Sequence, residues 1–141
     1  MLHLKKSVIQ KQLGAVYAPN LTLGINLLMD FASELSETLP SDFDFEIIER
    51  HFKEKSRVTA TAKIIAEKIG RDDINISSVR LGGYVGIHEV TCANKNERIT
   101  IIHESFSRQA FADGAVLAAN FIKDKTGFYY MSDVVNELKH R

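Results

Sequence analysis

Along residues 43–51, Phe43, Phe45 and Ile47 alternate with Asp44, Glu46 and Ile48. This period of two predicts a strand that points Glu49 and His51 to the same side as Phe43. Ahead of it, Thr22 to Leu39 reads as a helix with Leu27, Leu28, Phe31, Ala32 and Leu35 as its apolar stripe and Pro40 just past its end. A second helix is expected from Thr59 to Ile69, with Ala62, Ile65, Ala66 and Ile69 inward and Gly70 placed to terminate it. Strands follow near Ile74–Leu81, Tyr84–Cys92 and Arg98–Ser105, and the turn-forming residues Asn94-Lys95-Asn96 make the last two a hairpin. From Ser107 to Lys123 a long helix is expected, with Ser107 as its N-cap and Phe111, Ala115, Ala118, Ala119 and Ile122 as its buried side. A short helix closes the chain. Met1 to Val16 reads as a helix and a strand, with Val8, Ile9 and Leu13 on one side and Lys5, Lys6 and Lys11 on the other.

This order gives an α+β class, a mainly antiparallel or mixed four-stranded sheet flanked by helices. Ile99 and Ile101 alternate with Thr100 and Ile102, so one strand is apolar on both faces. Its second face needs a cover, either a partner subunit or helices of the same chain. At 141 residues and 45% hydrophobic content the chain is long enough for one core. Its formal charge is zero, which argues against nucleic acid or an acidic membrane as a partner. The only cysteine is Cys92, so no intrachain disulfide forms. No apolar run approaches the roughly 20 residues that span a bilayer. These features point to a cytoplasmic setting.

Candidate chemistry gathers where the strand ends. His51 is followed by a loop bearing Lys53 and Lys55, which together offer a proton and positive charge to a small acidic molecule. The plainer reading is a strand-end histidine beside a solvated turn. His88 and His103 fall on adjacent strands, but no Cys, Asp or Glu at ligand spacing supports a metal, and none is expected. Arg108 is read as a structural ion-pair partner of Asp113 or Glu104, and Tyr129 and Tyr130 as packing residues.

Six blocks, in order, carry a resemblance. They are Val16-Tyr17-Ala18-Pro19-Asn20-Leu21-Thr22-Leu23-Gly24-Ile25-Asn26-Leu27-Leu28, Ile47-Ile48-Glu49-Arg50-His51, Val79-Arg80-Leu81-Gly82-Gly83-Tyr84-Val85-Gly86-Ile87-His88, Glu97-Arg98-Ile99-Thr100-Ile101-Ile102-His103, Ser107-Arg108-Gln109-Ala110-Phe111-Ala112-Asp113-Gly114-Ala115 and Gly127-Phe128-Tyr129-Tyr130-Met131. Together they resemble the carboxy-terminal domain of dihydrodipicolinate reductase, the lysine-pathway enzyme also called 4-hydroxy-tetrahydrodipicolinate reductase. The resemblance implies that residues 1–18 are the remnant of a junction with a nucleotide-binding domain and that 19–141 form a substrate-binding and oligomerisation domain. It also implies a homotetramer built around a central barrel of sheets. The glycines of Gly82-Gly83-Tyr84-Val85-Gly86 run into strand-like spacing and not into a helix, so they do not read as a dinucleotide fingerprint. NADPH or NADH is therefore expected only where a separate nucleotide-binding domain or subunit supplies it.

By the same resemblance, His51 is the acid that protonates substrate and Lys55 the lysine that works beside it. Thr61, with Thr59 and Ala60 in the neighbouring turn and Lys53 in the loop, would hold a substrate carboxylate. Ala18 and Asn20 lie in the stretch that passes beside the nicotinamide, although Asn20 serves equally as a helix cap. The chain departs from the family motif at Phe52, where a second histidine is usual, and at Ala60, where glycine is usual. Phe52 removes polar contacts to a dicarboxylate, and Ala60 would tilt the amides if that position needs a positive φ. The expected function is the substrate-binding half of a reductase of a cyclic imine acid. The alternatives are a stand-alone acid–base enzyme, such as a cyclase, dehydratase or isomerase, and a non-catalytic assembly module.

Overall fold

The computed structural model describes residues 2–72 and 74–140, so the expected helix start at Met1 lies outside the described residues. In chain order the elements are α1 (Leu2–Gln10), β1 (Gly14–Tyr17), α2 (Leu23–Thr38), β2 (Asp44–His51), α3 (Ala60–Ile69), β3 (Asn75–Arg80), β4 (Gly86–Ala93), β5 (Arg98–Ser105), α4 (Gln109–Ile122), β6 (Gly127–Tyr130) and α5 (Met131–Lys139). The chain divides into two units, residues 27–108 and the pair of segments 1–26 and 109–141.

The first unit holds a four-stranded sheet in the order β3-β2-β4-β5. β2 pairs parallel with β3 across α3, and antiparallel with β4, which pairs antiparallel with β5. The expected α+β class and mixed sheet are what is found. Burial alternates along β2, with Phe45, Ile47, Glu49 and His51 inward. Register sets Ile47 opposite Val90, and Val90 opposite Ile101, in an apolar row; the next row is Ser78, Glu49, His88 and His103. One face of the sheet therefore changes from apolar to polar along the strands, and the polar end is where the candidate site lies.

Local signals explain the boundaries. Thr59 caps α3, its Oγ1 accepting from Ala62 N at 3.2 Å, and Gly70 ends the helix at φ 64°, a left-handed angle that glycine takes without strain. Ala62, Ile65 and Ile69 form the buried stripe that packs on β2. The hairpin closes at Asn94, whose Oδ1 accepts from Asn96 N at 2.9 Å and Glu97 N at 3.0 Å. On α2 the buried positions in this unit are Leu28, Met29 and Ala32; Phe31 is 49% exposed, on the rim of a groove with Leu35, Leu39, Ile99 and Ile101.

The second unit contains the parallel pair β1–β6, in register from Gly14↔Gly127 to Tyr17↔Tyr130. Its core is Ala118, Phe121, Met131 and Val134, with Val16, Ala18, Leu117, Ile122 and Tyr129 packed around them. β6 was not expected, because four residues between two helices are too few for a pattern of period two to show. The expected buried side of α4 is corrected. The inward residues are Gly114, Ala118 and Phe121, while Ala115 and Ala119 are exposed, and the helix begins at Gln109 and not at Ser107. The stripe is turned because Gly114 lies against the carbonyl of Leu21, where any Cβ would collide. Of the expected apolar trio only Val8, on α1, is buried; Ile9 on α1 and Leu13 just after it are 56% and 53% exposed.

Arg71 ties the end of α2 to the chain that follows. It donates to the carbonyls of Ser36 (2.8 Å), Leu39 (2.6 Å), Pro40 (3.2 Å) and Phe43 (3.1 Å), and its guanidinium lies 4.7 Å from the Phe45 ring centre. A cation on the last carbonyls of a helix also meets its negative dipole end. Arg71→Ala is expected to lower unfolding free energy by roughly 2–3 kcal/mol, with Arg71→Lys recovering less than half, since an ammonium lacks the fork. Urea denaturation checks this, and an unchanged midpoint for the alanine variant contradicts it.

Candidate functional site

At the polar end of the inward sheet face, Glu49 has no exposed surface. Its carboxylate accepts from Ser78 Oγ at 2.6 Å, Arg80 Nη2 at 2.5 Å, Thr59 N at 3.1 Å and the Thr59 hydroxyl. Burial alone pushes this carboxylic acid's pKa up, but the bonds from Ser78, Thr59 and Arg80 outweigh it and hold the group near 2. Arg80, with a side chain 4% exposed, spreads its remaining donors over the carbonyls of Lys55 (2.8 Å), Ser56 (2.7 Å) and Val79 (2.9 Å).

His51 is the next inward residue of β2, two positions beyond Glu49 and opposite Arg80 in the strand register. It is 7% exposed, and its ring lies over Gly86, where a Cβ would come within 2.9 Å of Cε1. Its Nδ1 faces the Val85 carbonyl at 3.3 Å, so Nδ1 carries the proton and Nε2 keeps the lone pair. That Nε2 is buried and has no hydrogen-bond partner. The His88 ring stands edge-on 5.1 Å away, its Nε2 3.4 Å from the Thr59 hydroxyl. Burial pushes the pKa of His51 below its usual value, and Arg80 and Lys55 add to this while Glu49 opposes it. Burial and the neighbouring His51 take His88 down to about 4, and burial lowers His103 as well. The three imidazoles are therefore neutral near pH 7.

The loop after His51 is pinned at its start, Phe52 N to the Tyr84 carbonyl at 2.9 Å and Lys53 N to that of Gly82 at 3.2 Å. Lys53, Lys55 and Arg57 are exposed, and Phe52 is half-buried. Beside it a hollow of about 470 Å³ is lined by Leu81–Val85 and Glu104–Phe106. The structure thus links His51 through His88 to Thr59, and Thr59 through Glu49 and Arg80 to the Lys55 backbone, with Ala60 and Thr61 following on the first turn of α3. Thr59 lies underneath, buried, with its hydroxyl shared between Glu49 and the α3 cap, while Ala60 is exposed and Thr61 half-buried on the first helical turn. Ala60 is helical and is not among the described residues with positive φ, so the alanine introduces no backbone strain there.

Other expected positions fall elsewhere. Asn20 caps the approach to α2, its Oδ1 accepting from Thr22 N and Oγ1 at 3.0 Å, and Ala18 packs on the core of its own unit. Gly82, Gly83 and Gly86 lead into strand β4, so this segment does not form the strand-to-helix turn that cradles a pyrophosphate. Arg108 is exposed and takes part in none of the ion pairs among the described residues, while Asp113 accepts from Gln109 Nε2 at 2.8 Å. Glu49, His51 and His88 offer donor atoms within 4.8 Å of one another, yet Glu49's oxygens are already bonded to Arg80, Ser78 and Thr59. A cation there would displace those donors and face the guanidinium. Sequence reasoning passed over Glu49 and Arg80. The available signal was a charged residue at an inward strand position between Ile47 and His51, which requires a buried partner.

Comparison with known proteins agrees with the fold. Residues 24–135 match the family model described as dihydrodipicolinate reductase, C-terminus. The chain is 37% identical over 131 residues to 4-hydroxy-tetrahydrodipicolinate reductase of Thermosipho africanus, covering 92% of this chain and 59% of that protein. It is 34% identical over 155 residues to the same enzyme of Methanopyrus kandleri, covering 94% and 56%. A solved structure, dipicolinate-bound dihydrodipicolinate reductase from Paenisporosarcina sp. TG-14, superposes with a TM-score of 0.77 at 26% identity, covering 92% and 57%. The chain spans somewhat under three fifths of the length of these relatives. It belongs to the dihydrodipicolinate reductase C-terminal domain family.

The buried titrating groups set an acid limb of stability. An unfolded His88 takes up a proton near pH 6.5 and the folded one only near 4, so the unfolded state binds more protons in between and stability falls as pH drops through that window. The full loss is on the order of 3 kcal/mol. Glu49 adds stability that is present above pH 4.5 and is lost toward 2. Urea midpoints measured from neutral pH to about 4 should decline, and His88→Gln should flatten the upper part of that decline; an equally steep limb in the variant contradicts the assignment.

Proposed function

We propose that this chain is the acid-gripping, proton-donating half of a reductase that acts on a cyclic imine acid in lysine biosynthesis, in the cytoplasm. The hydride would come from NADPH or NADH held by a separate nucleotide-binding domain or subunit. The observation that carries this reading is His51, its buried Nε2 unpartnered and its Nδ1 held by the Val85 carbonyl, placed at the mouth of a cationic loop. Membership of the family supports the reductase class, and no helix among the described residues is long and apolar enough to cross a membrane.

The chain's own residues account for grip and proton. Lys53, Lys55 and Arg57 outnumber Glu54 in the loop, so an anion is drawn to it. The first turn of α3 places Ala60 and Thr61 at a helix N-terminus, whose dipole favours a carboxylate, and Thr61 is the side chain assigned to that contact. A neutral His51 cannot donate until its pKa rises, and a bound dianion raises it by stabilising the imidazolium. Lys55 then offsets negative charge left on the substrate. Assembly into a homotetramer through the sheet is supported by the outer face, where Ile102 is 62% and Val79 39% exposed.

Dipicolinate, the ligand in the solved relative, tests the reading. Its binding to the chain should take up a proton, visible as a calorimetric heat that changes with the ionisation heat of the buffer, and affinity should fall as pH rises. His51→Gln should abolish the uptake, and Lys55→Ala should weaken binding about tenfold, the scale of one charge-assisted hydrogen bond. Binding without proton uptake, or unchanged by both substitutions, rules out this site. Conversion of a cyclic imine acid without any nicotinamide would favour a stand-alone acid–base enzyme instead.

A further inference from the structure

We infer that Glu49 and Arg80 form a buried clamp whose task is to position the ligand loop, holding the Lys55–Ser56 backbone and the start of α3 in one arrangement. The inference rests on the reading of residues 51–61 as the acid grip. Arg80 projects from the end of β3 and Glu49 from the middle of β2. An ion pair between adjacent strands needs no loop to be stable, yet Arg80 turns Nε to the Lys55 carbonyl at 2.8 Å and Nη2 to that of Ser56 at 2.7 Å. Glu49, on its other side, accepts from both the backbone N and the hydroxyl of Thr59, the cap of α3. One charge pair therefore fixes the loop at two places, before and after Arg57.

The consequence is mechanical. Lys55 has its carbonyl fixed and its ammonium in solvent, so the clamp restricts where the ammonium can reach without consuming its charge. Thr59 held at the cap fixes the direction in which the amides of the first turn of α3 point. Both groups would have to meet one ligand together with His51, and misplacement by about an ångström is enough to lose most of such a geometric advantage. Glu49 and Arg80 do not touch the ligand in this account; they are positioning residues.

Two variants separate positioning from plain stability. In Arg80→Lys a single ammonium keeps the charge on Glu49 but lacks the fork to bridge two carbonyls. In the double variant Glu49→Gln with Arg80→Gln both charges are removed, so that neither is stranded in the interior. Ser78→Ala is the control, because the Ser78 hydroxyl bonds Glu49 at 2.6 Å and, among the described residues, makes no bond to the loop. Amide hydrogen exchange across residues 53–58 should rise at least tenfold in both clamp variants and stay near wild type in the control, with the Asn94–Glu97 turn unchanged in all three. Dipicolinate affinity should fall at least tenfold in the clamp variants while the proton uptake assigned to His51 persists at saturation.

Wild-type protection of the loop in Arg80→Lys overturns the clamp. So does a rise in exchange spread evenly over the sheet, or loss of the fold in both variants, since either would mean a core ion pair and nothing more. If wild-type protein fails to bind dipicolinate while loop exchange behaves as expected, the clamp stands and the proposed substrate class falls.

Discussion

A carboxylate sealed from water persists only if its oxygens are met by enough donors to replace the lost hydration, and Glu49 shows what this requires of a fold. Its donors are three residues from two separate segments: Ser78 and Arg80 from β3, and Thr59 from the head of α3. None of these is near Glu49 in sequence, and all must arrive together. The parallel pairing of β2 with β3 supplies the register, setting Glu49 opposite Ser78 and His51 opposite Arg80. The α3 crossover that parallel pairing demands brings Thr59 over the same spot. The topology of the sheet and the satisfaction of one buried charge are thus a single condition.

Much of this was legible because period and punctuation are local properties. The alternation from Phe43 to His51, the cap and stop at Thr59 and Gly70, and the Asn94 turn each state their structure within a few residues, and the elements lie where those signals place them. What the sequence hid depends on partners distant along the chain. The stripe on α4 is displaced by the Leu21 carbonyl pressing on Gly114, and β6 becomes a strand only because β1 lies beside it. Arg80 could be seen as part of a resembling block, but not as the partner of Glu49. That required knowing the register between β2 and β3, which no periodicity within either strand contains.

Charge is arranged in two layers. Beneath, Glu49 and Arg80 cancel, and His51, His88 and His103 are held neutral by burial, so the interior of the site carries no net charge near pH 7. Above, the exposed loop is cationic. On the proposed reading, an anion approaching such a site would meet attraction first and alter protonation second, through the buried imidazole beside the loop. His88, depressed by burial and by the neighbouring His51, discourages a second proton from entering the row. On the proposed reading, one proton is poised at one nitrogen and appears only when ligand is present.

The two departures from the family motif then differ in kind. Ala60 takes an ordinary helical conformation, so the backbone that would face a carboxylate is not strained by the missing glycine. Phe52 would alter the proposed site, since its half-buried ring contributes no donor where the family motif has an imidazole. Its backbone N–H still pairs with the Tyr84 carbonyl, so the loop leaves the strand along the path that the clamp at Arg80 needs. Change has fallen on a side chain at the mouth and spared the framework beneath. On the proposed reading, a site altered in this way would keep the means of gripping and protonating an acid and change which acid it prefers.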